Sequence, residues 1–246
     1  IVVARPFRAP HHTTSRIGLI GGGSHPLPGE ISLAHRGVLF LDEFPEFPRH
    51  VLEAIRQPLE DHTVTISRAK ATITYPAQFL LVAAANPCPC GYYGDPVKRC
   101  HCMPGQIDRY QKRISGPILD RIDLHVGMTA VEVEKLTEDG HEHGDSSEII
   151  QKRVQRARDT QRRRFVKTTI HSNAEMRTRD VKLFCPLSSE CLVLLRQAVS
   201  KLGLSARSYY KVIKVARTIA DLEGVESITP LHIAESLQYR PKHMID

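Results

Sequence analysis

The stretch RGVLFLDEFPEF, residues 36–47, decides how the rest of the chain is read. Five small or apolar residues, Gly37 to Leu41, end abruptly in two adjacent carboxylates, Asp42 and Glu43. A short, continuous apolar run fits a strand of a parallel sheet covered on both faces, where no solvent side demands alternation. A second run, QFLLVAAA (78–85), stops in the same way just before Asn86. Between the two, PRHVLEAIRQPLED (48–61) reads as a helix with Val51, Leu52, Ile55 and Leu59 on one side. HTVTISRAKATITYP (62–76) alternates like a β-hairpin, with Arg68, Ala69 and Lys70 near the tip. A short strand pair is expected at 122–134. The first part of the chain is therefore α/β.

The texture changes after TEDGHEHGDSS (137–147), a polar stretch that reads as a linker. SSEIIQKRVQRARDTQRRRF (146–165) predicts one long basic helix. SSECLVLLRQAVSKLG (188–203) has a Ser cap, an apolar stripe through Leu192, Leu195, Val199 and Leu202, and a terminal Gly. SARSYYKVIKVARTIADLEG (205–224) repeats the design with Val212, Ala216, Ile219 and Ala220 inward. TPLHIAESLQYR (229–240) places Thr at the cap and Pro at the first helical position. The expected organisation is an α/β core over 1–136 carrying hairpin insertions and a Cys-rich loop at 87–105, a linker at 137–147, and an all-α domain over 148–246.

At 246 residues, 41% of them hydrophobic and 25% charged, the composition is that of a globular protein. No apolar run approaches the roughly 18–20 residues that span a bilayer, so no membrane partner is expected. A net charge of +7 makes a polyanion partner plausible. The six cysteines are clustered rather than spaced as a disulfide framework, which suits a reducing cytoplasm and a local site.

An Asp at the C-terminal edge of a parallel sheet can hold Mg²⁺, and a Glu beside it can orient and deprotonate the water that attacks a γ-phosphate. The plainer reading is that Asp42 and Glu43 open a loop before a helix, where acids are common. Asn86 could hold the attacking water or a phosphate oxygen, or simply make an Asn-Pro turn. The phosphate-cradling pattern G-x-x-x-x-G-K-[ST] occurs nowhere in the 246 residues. CPC (88–90) and CHC (100–102) offer Cys88, Cys90, Cys100 and Cys102, enough for a closed tetrahedral Zn²⁺ site that braces the loop. His101 could replace one thiol, and four reduced cysteines or a labile disulfide are the alternatives. The pairs His11–His12 and His141–His143 have no second pair at matching spacing and are expected to be loop or surface residues.

RPFRAPHHTTS, GLIGGGSHPLPGEISLAHRGVLFLDEFPEFPRHVLEAIRQPLED, AAANPCPCGYYGDP, RISGPILDRIDLHV and SARSYYKVIKVARTIADLEG, in this order, resemble the magnesium-chelatase-like group of AAA+ ATPases, in its ComM/YifB family. The resemblance runs essentially end to end. It implies a partial AAA+ parallel-sheet core followed by an all-α lid, with ATP and Mg²⁺ as cofactors. It implies a Walker B role for Asp42 and Glu43, a sensor role for Asn86, an arginine finger at Arg121 and a second sensor at Arg207. The family's P-loop lies upstream of RPFRAPHHTTS, so residue 1 is not expected to be a natural start, and the 246 residues alone are expected to be inactive.

Arginine suits these roles physically, because its planar fork matches phosphate oxygens. Arg121 could project from a short helix toward a neighbouring subunit's nucleotide, which makes a hexameric ring the expected unit, or could make an ordinary surface pair with Asp120 or Asp123. Arg207 follows the Ser205 cap, where a cation opposes the helix dipole and needs an anion. Arg68 and Lys70 would meet DNA phosphates lining the pore, with the glycine-rich stretch 18–30 as a second insertion. The basic helix, with Lys152, Arg153, Arg156, Arg158, Arg162, Arg163 and Arg164, is read equally as a solvated face or a DNA surface. The expected function is an ATP-dependent, sequence-independent DNA motor of branch-migration or helicase type. The alternatives are an ATPase subunit of a metal-insertion chelatase and a zinc-braced binding module.

Overall fold

A computed structural model of the chain describes residues 4–68, 71–128 and 144–241. The chain divides between Ile122 and Asp123 into two compact units, each with its own apolar core. Lys70, His141 and His143 lie outside the described residues, as does 137–143 of the expected linker.

Three parallel strands form the sheet of the first unit: β1 (Phe7–Arg8), β4 (Val38–Leu41) and β7 (Leu80–Ala83), in the order β1-β4-β7. Between β1 and β4 lie α1 (Arg16–Ile20), a small antiparallel pair β2 (Gly21–Gly22) and β3 (Leu27–Pro28), and α2 (Glu30–Leu33). After β4 come α3 (Arg49–Asp61) and the hairpin β5 (Thr63–Arg68) and β6 (Ala71–Pro76). The unit ends with α4 (Pro104–Gln111) and α5 (Gly116–Leu119).

Among the described residues the sheet is covered on one face only, whereas its apolar strands suggested cover on both. Leu39 and Leu41 are fully buried against Leu19, Ile31, Phe44, Val51, Leu52 and Ile55. The alternate positions form the other face, where Phe7 is 64%, Leu80 61% and Val82 40% exposed. Register explains the split, since Phe7, Val38 and Leu80 are lateral partners and share one side of the pleat. The only ring contact on that face is Phe7 with Phe40, at 6.2 Å, among the described residues.

The two insertions are joined to each other. Tyr75 on β6 donates its hydroxyl to the Pro26 carbonyl in the β2–β3 turn at 2.8 Å. A Cβ on Gly21 would lie 2.7 Å from Ile66 Cδ1 and 2.5 Å from the Leu27 carbonyl oxygen, at a φ of 106°. Only glycine allows the glycine-rich turn to close this tightly on β5.

The second unit is helical: α6 (Ser147–Arg164), α7 (Thr178–Phe184), α8 (Ser189–Leu202), α9 (Ala206–Glu223) and α10 (Pro230–Gln238). Ser146, Ser188 and Ser205 each accept a backbone N–H at the start of their helices, and Gly203 and Gly224 end α8 and α9 in left-handed geometry. Val212, Ala216, Ile219 and Ala220 of α9 are buried as expected. On α8 the buried line is Cys191, Leu195 and Ala198, while Leu202 is 44% exposed. The buried line thus runs through Cys191 and Ala198 rather than Leu192 and Leu202. No strand occurs over 122–128, and 129–134 lies outside the described residues. No helix among the described residues is long and apolar enough to cross a membrane.

Candidate functional site

Parallel pairing sends the C-terminal ends of β1, β4 and β7 to one edge of the sheet. Leu41 pairs with Ala83, the Ala84 amide donates to the Leu41 carbonyl at 3.0 Å, and the Phe44 amide donates to the Ala84 carbonyl at 2.9 Å. Asp42, Glu43 and Asn86 therefore leave the sheet at the same edge, and all three are exposed. Asp42 Oδ1 accepts the Glu43 amide at 2.8 Å. Glu43 itself is left-handed, with φ 50° and ψ 45°. For a non-glycine residue that costs about 1–2 kcal/mol, and such strain clusters at functional positions.

The segment after β1 brings His12 to this edge. Its Nδ1 lies 2.8 Å from Glu43 Oε2. His12 is a loop residue, as expected, and it is also paired with Glu43. A strand of two residues carries no hydrophobic period, so nothing in the sequence placed β1 beside β4.

Immediately beyond Asn86, four cysteines converge. Cys88 Sγ is 3.4 Å from Cys90 Sγ and 3.8 Å from Cys100 Sγ, and Cys90 and Cys100 are 3.6 Å apart. With Cys102, all four sulfurs lie within 4.8 Å of one another. Thiolates at about 2.3 Å from a tetrahedral Zn²⁺ stand about 3.8 Å apart, so the set fits a closed Cys₄ site. The loop turns at Gly91 and Gly94 with φ of 83° and 81°, and Asp95 Oδ1 accepts the Val97 and Lys98 amides at 2.8 and 2.7 Å. Backbone N–H groups of Tyr92 and His101 hold the Cys90 thiol down at about 6, whereas burial and the neighbouring sulfurs push Cys102 up to about 12.

The loop is tied back to the acidic edge. Gln111 of α4 donates to the Pro87 carbonyl at 3.0 Å, and Arg113 pairs with Glu46 at 2.6 Å in the turn after Glu43. A cavity of about 450 Å³ opens beside the cysteines, walled by His101, Arg109, Tyr110 and Arg113.

Arg121 does not project outward. Its side chain is 11% exposed, donates to Glu60 Oε1 at 2.8 Å and to the Pro117 carbonyl at 2.6 Å, and so lies folded against its own unit. Helix α5 has only one turn, and Arg121, two residues beyond it, reaches Glu60 near the end of α3. Arg207 is exposed on the first turn of α9. Arg68 ends β5 opposite Ala71, at the tip of the hairpin. Along α6, Arg164 leaves the candidate DNA surface, because it is bonded to the buried Asp221. Lys152, Arg153 and Arg162 are paired with Glu148, Asp145 and Asp159.

The model of a family described as magnesium chelatase, subunit ChlI, matches residues 1–136, and that of its C-terminal part matches 144–240. The chain is 47% identical over 236 residues to competence protein ComM of Haemophilus influenzae, covering 96% of this chain and 45% of that protein. It is 45% identical to YifB of Escherichia coli with the same coverage. The DNA replication licensing factor mcm6 of Schizosaccharomyces pombe is 25% identical over 85% of the chain and 23% of its own length. The chain thus spans about 45% of the length of its two bacterial relatives.

Proposed function

The chain belongs to the magnesium chelatase subunit ChlI family, in its ComM/YifB type, and from that premise we propose that it is a large part of an ATP-driven DNA motor. The observation that carries this reading is the shared edge of β4 and β7, where Asp42, Glu43 and Asn86 leave the sheet together. Asp42 would hold Mg²⁺, which would neutralise charge on the ATP phosphates. Glu43 accepts a proton from water as the water oxygen bonds the γ-phosphorus and the bond to the bridging oxygen breaks. Asn86 orients that water without adding charge. Arg121, once released from Glu60, would stabilise the charge developing on a neighbouring subunit's nucleotide in a hexameric ring, and Arg207 would contact nucleotide in the same assembly. The 246 residues contain no P-loop pattern, so alone they are expected not to turn over ATP.

The net charge of +7 and Arg68 at the hairpin tip support DNA as the polyanion, bound through phosphates without sequence preference. Cys88, Cys90, Cys100 and Cys102 would hold a structural Zn²⁺. With no open coordination position, it would fix the loop that leaves Asn86 rather than take part in hydrolysis.

ATPase assays of the full-length protein test the reading. Stimulation by single-stranded or branched DNA, with a salt-sensitive apparent affinity, is expected. Stimulation only by a metal-inserting chelatase partner would replace it with the chelatase alternative. Wild-type behaviour of Glu43→Gln would leave a zinc-braced binding module.

A further inference from the structure

We infer that His12 is a positioning residue for Glu43: its imidazole fixes the carboxylate that activates water. The inference rests on the hydrolytic reading of Glu43. His12 Nδ1 stands 2.8 Å from Glu43 Oε2, and a carboxylate can only accept, so Nδ1 carries the proton. The contact occupies one carboxylate oxygen and leaves Oε1 for water.

Stability does not account for the pair. The side chains are 29% and 50% exposed, and ion pairs in such settings contribute about 0–1 kcal/mol. What the surroundings do is remove every other freedom Glu43 has. Its amide donates to Asp42 Oδ1 at 2.8 Å, and its carbonyl accepts the Glu46 amide at 2.7 Å. The next amide, of Phe44, is tied to Ala84 at 2.9 Å, and the backbone is held at φ 50°. With the main chain locked in a strained conformation, only the side-chain torsions are left, and His12 restrains them.

The His12 ring is itself held. His11 lies against it with centroids 4.0 Å apart, and Phe47 meets it edge-on at 6.4 Å. The adjacent His11 is not an equivalent candidate, because its Nδ1 is 2.9 Å from Thr13 Oγ1. His12 arrives from β1, whose register with β4 is set by Phe7 on Val38 and Arg8 on Leu39. The same strand pairing that builds the sheet therefore aims the imidazole at the carboxylate.

The test uses the full-length protein with DNA, comparing wild type, His12→Ala, His12→Asn and Glu43→Gln for kcat and for KM of ATP. His12→Ala is expected to lower kcat about 10–100-fold, the scale of a misplaced catalytic group, with KM within about 2-fold. His12→Asn, whose amide N–H sits near the place of Nδ1–H, is expected to recover most of the rate. Wild-type kcat in His12→Ala alongside an inactive Glu43→Gln would overturn the inference alone. Loss in His12→Ala that His12→Asn fails to recover would also overturn it, marking a merely structural residue. A wild-type rate in Glu43→Gln would overturn the hydrolytic reading and the inference with it.

Discussion

Arg164 and Asp221, 57 residues apart in sequence, meet through both guanidinium amino groups and both carboxylate oxygens. Asp221 is fully buried and also accepts from Arg217 Nε at 3.1 Å and from Asn173 Nδ2 at 2.8 Å. One carboxylate thus serves two guanidiniums, and Arg217 adds a 2.7 Å bond to the Val225 carbonyl. Removing the shared acid leaves two cations unpaired, one of them buried, whereas removing Arg164 leaves Asp221 with two partners. Asp221→Ala is expected to cost about 3–5 kcal/mol in urea unfolding. Arg164→Met should cost clearly less, and equal losses would contradict the hierarchy.

Gly37 immediately precedes β4 and lies beside Pro6, the residue before β1. A Cβ on Gly37 would stand 1.9 Å from the Pro6 carbonyl oxygen, which accepts the Val38 amide at 2.9 Å. Gly37→Ala must push the strands apart, and a loss of about 3 kcal/mol is expected from overpacking of this kind. Because His12 follows β1, ATP turnover should fall in parallel. A change within about 0.5 kcal/mol, the range of indifferent surface substitutions, would refute this account.

Arg121 is proposed to serve a neighbouring subunit, although here Glu60 holds it. Full-length Arg121→Ala and Glu43→Gln should each be inactive as pure rings. Mixed together, they should regain activity, because some interfaces then combine an intact Glu43 with an intact Arg121. A mixture no more active than its components would exclude action across subunits.

In metal-stripped protein at pH 7, Cys90 should be alkylated first, as its thiol ionises at about 6. Cys102, at about 12, and Cys185, pushed up to about 11 by burial, should lag. The ordinary thiol value is 9.0, so ionised Cys90 favours the folded loop above about 6. As pH falls from about 9 through about 6 the thiolate is reprotonated, so Cys90 alkylation should slow and that contribution should be lost. Mass-spectrometric site mapping between pH 5 and 8 checks this, and first modification at Cys102 would disprove it. Zn²⁺ added beforehand should protect all four cluster cysteines.

What was legible in the sequence follows from how far each signal reaches. The strands that present Asp42 and Asn86 were visible because each is a continuous apolar run that stops at a polar residue. The cysteine cluster was visible because its pairs are local and two left-handed glycines sit between them. His12 was not, because its position comes from a pairing across thirty residues by a strand too short to show a period. Arg121 was expected outward because its neighbours look like a short helix, but Glu60 belongs to another element and leaves no local mark. Arg164 looked like its basic neighbours on α6, since only the fold brings Asp221 to it. The open face of the sheet, with Phe7 and Leu80, shows the same limit: apolar strands announce burial, but not how many of their faces this chain covers.

The bond from Tyr75 to Pro26 has a mechanical meaning. Two separately hinged fingers would each grip and release a strand on their own schedule. Joined through Tyr75 and Pro26, with Gly21 close against Ile66, the two would move as one body. On the motor reading, one turnover would advance both by the same stroke. Unlatching them with Tyr75→Phe should uncouple fuel use from travel, leaving an engine that burns ATP while slipping on its track.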